Sequence, residues 1–291
     1  MLKLVKGLYL IVNIAIIVAL LLLYFIVRDT SFKYAIWFYS FPLPIIVFII
    51  LCLSVFLGKY RKYNLIIAGF VFIIWIGRSF RMSFPIKPQK SDLEIVFWNA
   101  SRDNGFKTAI EINKGIPDVL VLTESNDYNF NKLKGKYPDF YFYQGKRELR
   151  IFSKTPLTIV KDTTTHYSTS VVNFKTAEIN FYAVDVTGSI DVPRLWEIGF
   201  LYEVILAKEN TVILGDFNVP YESTLLKKIK DNYKYFFSSK GNGFRETWFW
   251  GLPLLSLDQI WVSPDLEIRT SKNTKTLLSD HSLIGVVLNR G

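Results

Sequence analysis

Two regimes of hydrophobic patterning divide the chain near residue 90. Before it, apolar residues come in long unbroken runs; after it, they alternate with polar ones in short stretches. The first run, residues 7–27, holds no charge. At about 1.5 Å per residue it covers roughly 30 Å, the thickness of a bilayer core. A second charge-free run covers 35–57, with Pro42 and Pro44 near its start, where interrupting a helix costs least. The third, 64–77, is shorter and reaches Phe80 if Arg78 snorkels to the interface. Trp37, Tyr39, Tyr60, Tyr63 and Trp75 sit near the run ends, where amphipathic rings favour the headgroup level. The pattern predicts a membrane anchor over 1–82 with about three transmembrane helices, at about 7–27, 35–57 and 64–80. The first run exceeds the roughly 7–15-residue core of a cleaved signal peptide and lacks a small-residue cleavage site, so it reads as a signal anchor.

Residues 83–92, with Pro85 and Pro88 among polar neighbours, suit an extended linker. From residue 93 to 291 the pattern is that of a globular domain. Short apolar, β-branched or aromatic runs at 93–98, 119–123, 179–186, 211–214, 259–262 and 283–288 predict strands. Helical periodicity appears at 107–114 and at 193–207, where Leu195, Ile198, Leu201 and Ile205 recur at helical spacing. A mixed α/β domain follows, with chemistry expected at strand ends.

Composition sharpens the division. Half of all residues are hydrophobic, more than soluble chains usually carry, and the net charge is +10. Eleven of the 35 lysines and arginines but only one of the 25 acids, Asp29, precede Ser91; the remainder is balanced at 24 of each. The basic excess therefore belongs to the membrane flanks, and the C-terminal domain offers no compositional argument for nucleic acid. Basic residues on the two sides of the predicted spans nearly cancel. The wholly basic turn around Lys59, Arg61 and Lys62 resists translocation and favours an integral, multi-pass arrangement with the C-terminal domain on the non-cytoplasmic side. Cys52 is the single cysteine, so no disulfide within the chain and no cysteine-based zinc site can form. The spans hold no buried acid or histidine to form a transport pathway, which leaves anchorage as their role.

The polar residues at the strand ends share a theme. Trp98-Asn99 ends the first strand and Thr123-Glu124 the second; Gly215-Asp216-Phe217-Asn218 follows the fourth, Leu257-Asp258-Gln259 opens the fifth, and Ser279-Asp280-His281 precedes the last. Carboxylates, carboxamides and an imidazole suit a hard divalent cation such as Mg²⁺, which takes oxygen ligands and leaves positions for water and phosphate. They suit zinc poorly, with no cysteine and two histidines in the domain. Trp248 and Trp250 fit a core, a rim or a substrate platform equally.

Set in order, Phe97-Trp98-Asn99, Pro117-Asp118-Val119-Leu120-Val121-Leu122-Thr123-Glu124, Gly215-Asp216-Phe217-Asn218, Leu257-Asp258-Gln259-Ile260 and Ser279-Asp280-His281 resemble the successive motifs of the endonuclease/exonuclease/phosphatase (DNase I-like) superfamily. Phe152-Ser153-Lys154-Thr155-Pro156 is similar to the family's Ser-x-x-Pro turn, and Gly243-Phe244-Arg245-Glu246-Thr247-Trp248 resembles its membrane-linked members. The resemblance implies two mixed β-sheets packed as a sandwich with outer helices. It implies a Mg²⁺ or Mn²⁺ site at Glu124, assisted by Asn99 and Asp280. It implies Asp216 as the base for water, Asn218 holding Asp216 or a phosphate oxygen, and His281, oriented by Asp258, stabilising charge on the phosphoryl group. The expected partners are the lipid bilayer and a phosphoester substrate, lipid, nucleic acid or small molecule, with no protein partner.

One position departs from the family. Where its members usually end the central strand with histidine, Phe181-Tyr182-Ala183-Val184-Asp185 places an aspartate. An ionised carboxylate cannot donate to a phosphate oxygen. Asp185 can join the metal site, pair with Arg194, or mark an impaired family member that acts as a binding module; His166, in a Thr-Thr-Thr-His-Tyr loop, is a candidate spatial substitute for the lost histidine.

Overall fold

Apolar side chains all round the first helices leave no polar face, so they pack only against one another and present the rest outward. The chain is seen in a computed structural model that describes residues 2–84, 86–127, 130–206 and 209–289; Pro85 of the predicted linker and Ala207 of the predicted second helix lie outside them. The chain divides into two compact units, Met1–Phe80 and Arg81–Gly291.

In the first unit, α1 (Leu2–Leu22) runs on through a π-helical turn, Leu23–Val27, and is followed by α2 (Phe32–Ser40), α3 (Leu43–Ser54) and α4 (Arg61–Ser79). Ile46, Ile50, Phe38, Tyr24 and Val71 form its core, while Leu8, Ile11, Phe48, Ile66 and Ile73 are exposed. Two stretches are long and apolar enough to cross a membrane, Leu4–Val27 with mean hydropathy 3.1 and Gly58–Ser79 with 1.2. The second predicted span is not one helix. It is a pair, α2 and α3, bent by 67°. Pro42 is extended, with ψ 161°, and carries no N–H to continue the ladder. The 12 residues of α3 rise about 18 Å, short of a bilayer core by themselves.

In the second unit, β1 (Leu93–Asn99), β2 (Val119–Thr123), β3 (Tyr141–Gln144), β4 (Arg150–Ser153), β11 (Ile268–Thr274) and β12 (Leu283–Leu288) form a six-stranded sheet in the order β11-β12-β1-β2-β4-β3. The other sheet runs β9-β10-β8-β7-β6-β5, from β5 (Thr158–Thr164), β6 (Ser170–Thr176), β7 (Ile179–Asp185), β8 (Thr211–Asp216), β9 (Lys234–Tyr235) and β10 (Asp258–Val262). Each sheet is antiparallel except for one central parallel pair, β1/β2 and β7/β8. A parallel pair needs a crossover. Helix α5 (Phe106–Asn113) lies in the first crossover, α6 (Phe130–Lys136) follows β2, and α7 (Arg194–Val204) lies in the second crossover.

The sheets pack face to face, β8 against β1 and β2, and β10 against β1 and β12. Both faces of β1 are covered, so it is buried almost throughout: Ile95 and Phe97 lie on one face and Val96 and Trp98 on the other, all at 0 % exposure. On the outer face Phe106 of α5 lies against Phe152, ring centroids 4.4 Å apart, with Trp98 and Leu122 in the same cluster. The α/β fold of two mixed sheets agrees with the sequence expectation. In α7, however, Leu195 points to solvent at 64 % exposure and Glu197 is buried in its stead, accepting from Thr165 Oγ1 at 3.0 Å.

Candidate active site

The parallel and antiparallel registers of the second sheet set three carboxylates side by side. Asp185 ends β7, Asp216 ends β8 opposite it, and Asp258 opens β10 opposite Asp216. In-register neighbours share a face, so the three form a row across one end of the sheet. Gly215 permits this: a Cβ there would run into the Val184 carbonyl of the neighbouring strand. From the facing sheet come Asn99, the last residue of β1, and Glu124, which follows β2. Strands β1, β8 and β10 extend one or two residues further than periodicity suggests, so Asn99, Asp216 and Asp258 sit on strand ends, while Glu124, Asn218, Asp280 and His281 lie in the adjoining loops.

Asn99 joins the two sheets. Its Nδ2 donates to Asp216 Oδ2 at 3.1 Å and to Glu124 Oε1 at 3.4 Å. Glu124 has φ +47°, a left-handed conformation uncommon for a non-glycine residue, and Ser101 (+48°), Arg102 (+63°) and Asn218 (+47°) share it. Such conformations cost of order 1–3 kcal/mol and concentrate at functional sites. The backbone N–H of Asn218 donates to Asp216 Oδ1 at 2.9 Å, while its side-chain amide donates to Val186 O at 2.7 Å. Asn218 thus meets Asp216 through its main chain, and its amide turns to Val186.

At the other end of the row, His281 Nδ1 lies 2.9 and 3.0 Å from the two oxygens of Asp258, which is wholly buried. Thr247 Oγ1 accepts from the N–H groups of Leu257 and Asp258 at 3.1 and 3.0 Å, fixing the start of β10. Ser279 Oγ donates to Asn99 O at 2.8 Å and accepts from His281 N at 2.9 Å. Asp280 receives Ser101 Oγ at 2.5 Å on one oxygen and Trp248 Nε1 at 2.9 Å on the other. It therefore lies beside His281 and Ser101, whereas Glu124 lies beside Asn99 and Arg102. Sequence reasoning did not single out Thr247, Ser101 or Arg102, and left Trp248 undecided; each acts through a neighbour, so no spacing marks it.

Asp185 is half-buried. The Arg194 guanidinium binds the carbonyls of Asn218 at 3.2 Å and Ser189 at 2.8 Å. His166 is exposed in the β5–β6 turn, its ring against Tyr167 at 5.2 Å. Burial, then the charges of Asp216, Glu124 and Glu148, push the Asp185 carboxyl well above the usual range, with Arg147 opposing. Burial and then Asp258 raise Asp216 to about 6, against the charge of His281. For His281 burial works downward, but the Asp258 charge and hydrogen bond prevail and raise it to about 10. Asp280 is held below the usual range, because the Ser101 hydrogen bond and the His281 charge outweigh its burial.

Carboxylates this crowded and this raised mark a place where negative charge is under-compensated, which is what a divalent cation would relieve. Ligand atoms of Asp216, Asp258 and His281 fall within 4.8 Å of one another. A ligating imidazole must be neutral, though, and His281 is held as imidazolium with Nδ1 given to Asp258. The donors that fit a hard cation are the oxygens of Glu124 and Asn99, with one Glu124 oxygen 3.3 Å from the exposed guanidinium of Arg102.

Residues 97–281, well over half of the chain, match the model of the Endonuclease/Exonuclease/phosphatase family. No curated protein matches the chain. Among solved structures, an endonuclease/exonuclease/phosphatase family protein from Bacteroides thetaiotaomicron is 15% identical with TM-score 0.53, covering 69% of this chain and 98% of its own. A mannosyl-6-phosphatase from the same organism is 15% identical with TM-score 0.53, covering 68% and 99%. TDP2 of D. rerio, complexed with a single-strand DNA product, is 13% identical with TM-score 0.50, covering 69% and 100%. At such distances these structures speak for the shared fold alone. The family model, matched across the strand ends that carry this cluster, settles the assignment: the chain belongs to the endonuclease/exonuclease/phosphatase family, whose members are phosphoester hydrolases.

Proposed function

We propose that the chain is a membrane-anchored, divalent-metal-dependent phosphoester hydrolase that activates water for attack on phosphorus. The observation that carries this reading is the placement of Asp216 between Asn99, the Asn218 N–H and the His281–Asp258 pair. Glu124 and Asn99, with Asp280 nearby, would hold Mg²⁺ or Mn²⁺, which when bound neutralises phosphate oxygens. Asp216 takes the proton of the attacking water; a base with a raised pKa does so more readily than an ordinary aspartate. Asn99 and the Asn218 N–H fix its two oxygens. His281, its Nδ1 held by Asp258, turns a positive Nε2–H to the phosphoryl oxygens as charge grows there. The two bilayer-length helices support a membrane tether, and the basic Lys59, Arg61 and Lys62 favour a catalytic unit on the non-cytoplasmic side. Structural neighbours include a mannosyl-6-phosphatase and a DNA-bound TDP2, which leaves both monoester and diester chemistry within the reading.

Hydrolysis of bis-p-nitrophenyl phosphate and p-nitrophenyl phosphate by the purified full chain tests it. Turnover is expected with Mg²⁺ or Mn²⁺ and is lost in EDTA; silence across both esters and both metals would overturn the hydrolase reading.

Asp185 motivates a second reading, a phosphate-binding module with impaired catalysis, because a carboxylate stands where the family places a hydrogen-bond donor. Asp185→His separates the two. If the parent already turns over, the substitution changes its rate without creating it. A silent parent made active by Asp185→His would establish the binding module.

A further inference from the structure

The end of the sandwich that carries the aspartate row exposes large apolar side chains. Of twelve large apolar residues exposed between Leu93 and Asn289, among the described residues, nine lie on loops or a helix start at this end of the sandwich. They fall into two groups at opposite ends of the aspartate row. Beside Asp185, Ser170 pairs with it across the sheet, so the β5–β6 turn hangs at the cleft edge. Thr169 Oγ1 accepts from Thr187 N at 3.0 Å, and Thr165 Oγ1 donates to Glu197 of α7, which fastens the turn to that helix. There Tyr167 and Trp196 pack ring to ring at 5.9 Å, 42 % and 56 % exposed, next to exposed Leu195. Beside Asp280, whose carbonyl accepts from Trp250 N at 3.0 Å, exposed Trp250, Leu252 and Leu277 form the second group.

We propose that this rim docks the catalytic mouth onto a lipid bilayer, so that the phosphoester it takes is a lipid headgroup presented at the surface. This rests on the reading above that the N-terminal helices anchor the chain. Exposed apolar patches of this kind mark interaction sites, and tryptophan, tyrosine and leucine around a polar cleft match the headgroup–acyl boundary, where apolar side chains embed and phosphates stay wet. Two features of the chain favour a bilayer over a protein partner. Its own bilayer-length helices supply the membrane. Residues 91–291 carry balanced charge, so docking relies on apolar contact and works on zwitterionic lipid.

The full chain in a Cys52→Ser background, with a single environment-sensitive fluorophore on Leu277→Cys or Trp196→Cys, is reconstituted in phosphatidylcholine vesicles containing shallowly brominated lipid. Tyr141→Cys, at the opposite end of the first sheet, and Ile66→Cys, on the exposed face of α4, serve as references. Both rim probes are expected to shift to the blue and lose emission to the bromines, Tyr141→Cys to do neither, and Ile66→Cys to be quenched. Rim probes that stay unshifted and unquenched while Ile66→Cys is quenched would overturn the docking and leave the anchor standing. An unquenched Ile66→Cys would overturn the anchor and the docking with it. Rim probes shielded from iodide but untouched by bromolipid would assign the rim to protein contact, again overturning the proposal. None of these outcomes depends on turnover, so a failed hydrolysis assay does not imitate a failed docking.

Discussion

Asp216→Ala is expected to lower metal-dependent turnover on the order of 10³-fold, the usual contribution of a positioned general base, with a smaller change in KM. The residue is buried at 1 % exposure and is held by Asn99 and the Asn218 N–H, so no neighbouring carboxylate can take its place without moving a strand end. Asp216→Asn keeps the shape and removes the basicity, and its turnover should fall by a similar factor. Retention of more than a tenth of the parent rate in either variant would exclude Asp216 as the base. The pH profile carries the same information. Turnover should rise with pH through a limb at or below about 6, the value Asp216 reaches without a cation, since a bound cation favours the carboxylate. It should fall again as His281 loses its proton near 10.

Asp258→Ala should be the costliest single change to stability in the site. Removing one partner of a buried ion pair leaves an uncompensated charge and typically costs about 3–5 kcal/mol. His281 is 8 % exposed and Asp258 has no exposure at all, so solvent screens little of this. The sign of the pH dependence follows from His281, whose folded pKa of about 10 lies above its ordinary value near 6.5. The stabilisation is complete below about pH 6.5 and is lost as pH rises through about 10. Denaturant midpoints of parent and variant, followed by near-ultraviolet circular dichroism, should differ most at pH 6 and converge towards pH 10. Without Asp258, burial works against only the smaller upward pull of Asp216 and Asp280 on His281, which draws the upper limb of the activity profile to lower pH. An unchanged midpoint at pH 6 would mean that the pair is not charged.

The Phe97-Trp98-Asn99 and Gly215-Asp216-Phe217-Asn218 segments were legible because their information is local. A buried strand must be apolar, and a strand that ends in a polar residue announces a site. The polar edge strands β5 and β11, Thr158–Thr164 and Ile268–Thr274, were not legible, because one face meets solvent and their threonines, lysines and asparagines break the apolar alternation. Glu197 and Leu195 exchanged their expected places for a related reason. Helical periodicity identifies the stripe, but Thr165, distant in sequence, supplies the hydrogen bond that allows an acid to be buried in it. The bend between α2 and α3 was foreshadowed by Pro42 and Pro44, but the chain itself did not reveal whether they open one helix or separate two.

The amino-acid sequence by itself determined that an apolar N-terminal segment precedes an α/β domain of balanced charge, and it determined which residues end the central strands. Those properties depend on composition and short-range period. Only the tertiary structure decided which of these residues meet: that Asn99 bridges Asp216 and Glu124, that Asp280 turns to Ser101 and Trp248, that Asp185 lines up with Asp216 and Asp258, and that Tyr167 meets Trp196 beside them. Strand register across two sheets sets these meetings, and register is a property of pairings between distant segments, which no local pattern encodes.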